Sequence, residues 1–244
     1  VAKTRGPRDG PDDGALLALF GAIASGDDLD IARQLDASRD LASSPIQIGA
    51  TRQDAETYFL VAIRHYVYAG DTALHIAAAA HQRDLVELLI GSGADVRARN
   101  RRGAEPLHYA ADGSPGAEHW DPVAQREVIA YLIAAGADPN AFDKSGVAPL
   151  HRAVRTRCSA AVGALIENGA DPRLMNKSGS TPLHLAVQNT GRSDSGSEAA
   201  KDEQGRIVPV LLGHGASPTD VDANGKTVAA AASSDWIRDL LGVS

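Results

Sequence analysis

Four histidines, His75, His108, His151 and His184, recur at steps of 33, 43 and 33 residues. Imidazole is the commonest metal ligand among side chains, so a regular series first raises a metal site. The spacing argues against one. With one histidine per repeated unit, neighbours lie about 10 Å apart, a helix diameter, whereas a metal–nitrogen bond spans about 2 Å. Arginine gives a second chemical signal. Arg152, Arg155 and Arg157 crowd one stretch beside Cys158, the single cysteine of the chain, and a guanidinium binds carboxylate or phosphate through two parallel hydrogen bonds. Cys158 and His151 are about two helical turns apart, a poor nucleophile–base pair. Asn224-Gly-Lys-Thr227 has the ending of a phosphate loop, but Asp220 stands where such a loop requires its first glycine. No His-Glu-x-x-His, paired-Cys or Gly-x-Ser-x-Gly pattern occurs. No metal and no cofactor is expected.

The histidines close four echoes: Thr72-Ala-Leu-His75, Glu105-Pro-Leu-His108, Ala148-Pro-Leu-His151 and Thr181-Pro-Leu-His184. Each reads as a helix start. Thr181 caps free amides, and Pro182 takes the first helical position, where its missing N–H costs nothing. A second apolar run follows in each unit, as in Val128, Ile129, Leu132 and Ile133, or Val162, Leu165 and Ile166. Gly93, Gly136, Gly169 and Gly215 end these runs, where a left-handed cap favours glycine. A period near 33 with this signature resembles the ankyrin-repeat family from about residue 70 to 226. The resemblance implies an all-α repeat solenoid, an ankyrin-repeat array of helix-turn-helix units with β-hairpin finger loops, capped at both ends. It places repeats at about 70–99, 100–142, 143–175 and 176–221. It also implies that the histidines bond within and between units, and that binding is the class of function. Scarce aromatics, 4% of the chain, and abundant alanine suit closely stacked helices.

Both ends depart from the pattern. Residues 1–14, rich in Gly, Pro, Asp and Arg, read as a flexible lead-in without the apolar core of a signal peptide. The initial Val1 is compatible with removal of a preceding segment. Capping helices are expected over 15–25 and 29–37. An added helix is expected over 54–66, where Phe59, Ala62, Ile63 and Tyr66 share a helical face. Residues 227–244 form a closing cap. The net charge of −7 argues against general nucleic-acid binding. No apolar run reaches the 18 or so residues of a membrane span. A cytoplasmic monomer is the default expectation.

Two insertions interrupt the units on either side of the arginine cluster. One lies near 114–123 and carries His119 and Trp120; the other lies near 191–203 and carries Arg192. Both are expected to rise on one edge and wall in Arg152, Arg155 and Arg157. Alignment of the units puts Asp112, Arg155 and Gln188 in one column on the concave surface, with Asp112 and Arg155 in reach of each other. The first finger is basic, with Arg97, Arg99, Arg101 and Arg102; later tips present Phe142 and Met175, and the last is acidic with Asp220 and Asp222. The leading expectation is a non-catalytic module that binds an acidic peptide or protein across the concave face and finger tips. The alternative is an enzyme or small anionic-ligand binder between the insertions, with Asp112 or His119 as acid or base and the arginines, including Arg192, on the anion.

Overall fold

The computed structural model describes residues 11–115, 117, 120–189 and 197–243. An opening pair, α1 (Asp13–Ser25) and α2 (Asp28–Ala37), begins where the Asp12 carboxylate accepts the Ala15 N–H at 2.7 Å. Four further pairs follow: α3 (Ala73–Ala79) with α4 (Arg83–Gly91), α5 (Pro106–Ala110) with α6 (Pro122–Ala134), α7 (Pro149–Arg155) with α8 (Ser159–Glu167), and α9 (Pro182–Ala186) with α10 (Glu198–Gly213). Short helices α11 (Val228–Ala231) and α12 (Asp235–Leu241) close the stack. First helices pack on first helices and second on second, so the core is a continuous strip. Leu74, Leu107, Leu150 and Leu183 enter it from the first helices; Leu89, Leu132, Leu165 and Leu211 enter it from the second. Among the described residues no helix is long and apolar enough to cross a membrane.

The recurrent histidine joins each unit to the next. His75 Nδ1 accepts the Thr72 N–H at 3.2 Å, and Nε2 meets the Ala104 carbonyl of the following unit at 3.2 Å. His108 repeats this between Glu105 and Val147, His151 between Ala148 and Ser180, and His184 between Thr181 and Lys226. Acceptance at Nδ1 and donation at Nε2 fix the neutral tautomer. The finger turns have their own device. Asn100, Asp143, Asn176 and Asp222 occupy one repeat position, and the side-chain oxygen of each accepts two backbone N–H groups further along the turn. Gly146 shows why glycine follows. It has φ 69°, and a Cβ there would lie 2.4 Å from Lys177 Cβ on the neighbouring finger.

Two expectations are corrected. The helix expected over 54–66 is absent. A 3₁₀ turn, Glu56–Tyr58, leads into a hairpin of β1 (Phe59–Leu60) and β2 (His65–Tyr66), paired Phe59 with Tyr66 and Leu60 with His65. The segment is dense in β-branched and aromatic residues, which fit a pleated surface, and Arg64 turns the chain at φ 53°. The anchoring bonds run to neighbouring segments: Ala50 N–H to the Val67 carbonyl and Val67 N–H to the Tyr58 carbonyl, both 2.8 Å. Val67 is the fully buried residue here, while Ala62 on the supposed helical face is exposed. The second correction concerns the insertion near 191–203, whose described final part is helical. Ser197 caps α10 by accepting the Ala200 N–H at 3.2 Å, so this helix begins well before its apolar run.

Burial holds five of the packed histidines in their neutral form. It pushes His108 down to about 3 and His65 to about 4, and lowers His75, His81 and His151 as well. In the unfolded chain these groups protonate near 6.5. Between the two values the unfolded chain binds more protons, so this stability is complete above about pH 6.5 and is lost as pH falls through the folded values. Each such histidine adds a slope of at most about 1.4 kcal/mol per pH unit. The urea midpoint is therefore expected to fall continuously as pH is lowered from about 6.5 to 4.5; a flat midpoint over that range contradicts the assignment of buried neutral rings.

Candidate functional site

A cavity of about 480 Å³ opens on the concave side, between the hairpin and the first helices α5 and α7. The hairpin is held there by a buried carboxylate. Asp71, with no exposed surface, accepts the Tyr68 N–H at 2.6 Å, the Asn100 amide at 2.8 Å and the Tyr109 hydroxyl at 2.9 Å. These donors come from the segment leaving the hairpin, the first finger and α5. The His65 ring stacks on Tyr109 with centroids 4.2 Å apart. Its Nε2 is buried without a hydrogen-bond partner, 3.9 Å from Asp112 Oδ2. Tyr66 and Tyr68 extend this aromatic wall, and the Arg102 guanidinium lies 4.3 Å from the Tyr68 ring centre.

The floor is a charged bridge. Arg152 donates from Nη1 to Asp112 Oδ2 at 3.0 Å and from Nη2 to Asp143 Oδ2 at 3.2 Å. Its side chain is only 17% exposed, so the guanidinium is a strut and not a free cation. Burial raises the Asp112 carboxyl against the pull of Arg152. Burial acts upward on Asp143 too, but the Val147 N–H and Arg152 together hold it below its ordinary value. For Arg152, burial favours the neutral form; Asp112 and Asp143 outweigh it and the net shift is upward. The expected partner of Asp112 was Arg155. The structure gives it Arg152, because the residue directly after the histidine reaches inward while Arg155, at the helix end, projects into solvent. Arg155 still lines the cavity, and among the described residues neither it nor Arg102 has an ion pair or a side-chain hydrogen bond to another group.

Other expected site residues serve the scaffold. Trp120 Nε1 donates to Gln125 Oε1 at 2.9 Å, and the same oxygen lies 2.9 Å from Cys158 Sγ. The Gln125 amide donates to the Ala110 carbonyl at 2.8 Å and the Asp112 carbonyl at 3.2 Å, so it fastens the insertion to the end of α5. Burial pushes the Cys158 thiol up to about 11, which keeps it unreactive. Arg157 points toward the next unit and donates to the Asn189 carbonyl at 3.2 Å. Gln188 is exposed, and its carbonyl accepts from Gln204 at 2.9 Å. His119 and Arg192 lie outside the described residues. The cavity is walled by the hairpin and not by the described parts of the insertions. Among the described residues no group of three or more His, Cys, Asp or Glu is placed to hold a metal ion.

The stacked pairs, the finger turns and the histidine links between units match a known pattern. The family model for ankyrin repeats (3 copies) matches residues 19–143 and 122–195. The chain belongs to the ankyrin-repeat family. A search of curated proteins finds no match.

Within this ankyrin array the first finger is less open than its charge implies. Arg97 faces Asp138 at 3.4 Å and Arg99 faces Glu105 at 3.7 Å. Arg99 also donates to the Phe142 carbonyl, and Arg101 donates to the Ala50 carbonyl at the base of the hairpin. Phe142 and Met175, with Val221 after them, share one repeat position on successive fingers and are 38%, 48% and 45% exposed.

The residues that build the cavity left a readable trace. The position after each histidine holds Ile76, Tyr109, Arg152 and Leu185, so two middle units replace an apolar residue with a polar one. Asp71, directly before its cap, corresponds to Ala104, Val147 and Ser180 elsewhere. His65 left no such signal, because the hairpin is not repeated.

Arg152→Met removes the partner of one buried and one part-buried carboxylate, Asp143 and Asp112, and is expected to cost about 3 kcal/mol. Arg155→Met is expected to stay within about 0.5 kcal/mol of the native chain. Urea denaturation at neutral pH compares the two, and equal losses contradict the division into strut and free cation.

Proposed function

We propose that this ankyrin array is a protein-interaction module that takes an apolar, acid-flanked peptide segment along its finger edge and toward the concave face. Ankyrin repeats generally mediate protein–protein interaction, and the array offers an edge suited to it. The observation that carries this reading is the column of Phe142, Met175 and Val221, three large apolar side chains exposed at one repeat position. Aligned apolar side chains at the spacing of successive units form a strip for matching side chains of an extended partner. Burying such anchors supplies most of the energy of a typical interface.

The preference for acidic flanks comes from the cations near the strip. Lys144 and Lys177, each two positions after a residue of the strip, are exposed and form no ion pair among the described residues. Such charges speed encounter and set orientation more than they deepen affinity. Arg97, Arg99 and Arg101 are committed to Asp138, Glu105 and three carbonyl groups, and on this reading they shape the fingers without touching the partner.

Selection of random displayed peptides on the native chain tests this directly. Recovered sequences are expected to combine Leu, Ile or Phe with Asp or Glu. Their synthetic versions should bind a Phe142→Ala/Met175→Ala double variant about tenfold or more weakly by fluorescence polarisation. Basic consensus sequences, or unchanged affinity in the variant, contradict the reading.

A further inference from the structure

We propose that the cavity beneath the hairpin is a separate binding site for a single carboxylate carried on an aromatic group. The site stands on residues other than the finger strip and does not rest on the peptide reading. Its volume of about 480 Å³ falls within the range of small-ligand pockets, about 300–1,000 Å³. Its charges are divided by role. Arg152 is committed to Asp112 and Asp143, while Arg102 and Arg155 line the same space with no ion pair. Two guanidinium groups without carboxylate partners beside one cavity are a receptor for an oxyanion.

The count of lining charges selects the anion. Arg102, Arg152 and Arg155 face Asp112 and Asp143, which leaves one positive charge in excess. A monocarboxylate neutralises that excess. A phosphate monoester brings nearly twice the charge and sets the remainder against Asp112 and Asp143. The walls select the body of the ligand. Tyr66 and Tyr68 both line the cavity, and Tyr66 is 39% exposed. An aromatic group carrying the carboxylate gains a stacking face there. The hydroxyl of Ser145, which also lines the cavity, offers a polar contact there.

Such a carboxylate comes either from a free small acid or from the terminus of a peptide that ends in an aromatic residue. Isothermal titration with five probes separates these sources: 4-hydroxyphenylacetate, its amide, phenyl phosphate, and the tetrapeptide Ala-Ala-Ala-Tyr as free acid and as amide. At least one free carboxylate is expected to bind, with its amide and the phosphate about tenfold or more weaker. An Arg102→Met/Arg155→Met double variant, whose side chains make no ion pair to lose, is expected to abolish that binding while its circular dichroism spectrum and urea midpoint stay native. Binding by the small acid alone assigns a free ligand, and binding by the peptide acid alone assigns a chain terminus. Equal binding of acid and amide, tighter binding of the phosphate, retention of binding in the double variant, or no binding by any carboxylate up to about 10 mM overturns the proposal.

Discussion

The concave architecture depends on one buried carboxylate. Asp71 has no exposed surface, and a charge taken out of water is tolerated only when its oxygens are satisfied. Here they are, by the Tyr68 amide, the Asn100 side chain and the Tyr109 hydroxyl. Those donors belong to three parts of the chain that no local rule brings together. Satisfying Asp71 therefore docks the hairpin on the first finger and on α5. His65 can then stack on Tyr109 and face Asp112, and the space between hairpin and helices becomes a cavity that opens on the concave side.

Charge in this protein is divided between construction and recognition. Arg152 bridges two carboxylates, Arg99 and Arg101 bind backbone carbonyls across segments, and Arg157 reaches the next unit. What separates these from Arg155 is position on the short first helix. The residue after the histidine points between neighbouring units, whereas three positions later, at the last residue of the helix, the side chain meets solvent. A basic cluster in a repeat array is thus not a basic surface until the internal acceptors have been subtracted. After that subtraction, Arg102 and Arg155 remain beside the cavity and Lys177 beside the finger strip.

Much of this was legible in the sequence because it is local and repeated. The capped helix starts at Thr72, Glu105, Ala148 and Thr181, the glycines at φ near 100° after each second helix, and the linking histidines all follow from short motifs. The hairpin was not legible. Phe59, Ala62, Ile63 and Tyr66 fit a helical period as well as a turn between strands, and the bonds that decide the matter run to Ala50 and Asp71. Asp112 and Arg155 both line the cavity, yet the pairing fell to Arg152, since spacing fixes neighbours and not the reach of each side chain. The cavity's own trace, Tyr109 and Arg152 at a position that is apolar in the flanking units, becomes meaningful once the hairpin is known to cover it.

The central claim is that the hairpin is a fixed wall of the array, held through Asp71. Native-state hydrogen exchange at the amides of Ala50, Val67 and Tyr68 tests it most directly, because each donates one of the bonds that seat the segment. The account predicts that these amides exchange as slowly as those within α5, and that Asp71→Asn raises their rates first. Fast exchange of all three in the native chain, with α5 protected, would mean that the hairpin opens on its own and that the concave face carries no built cavity.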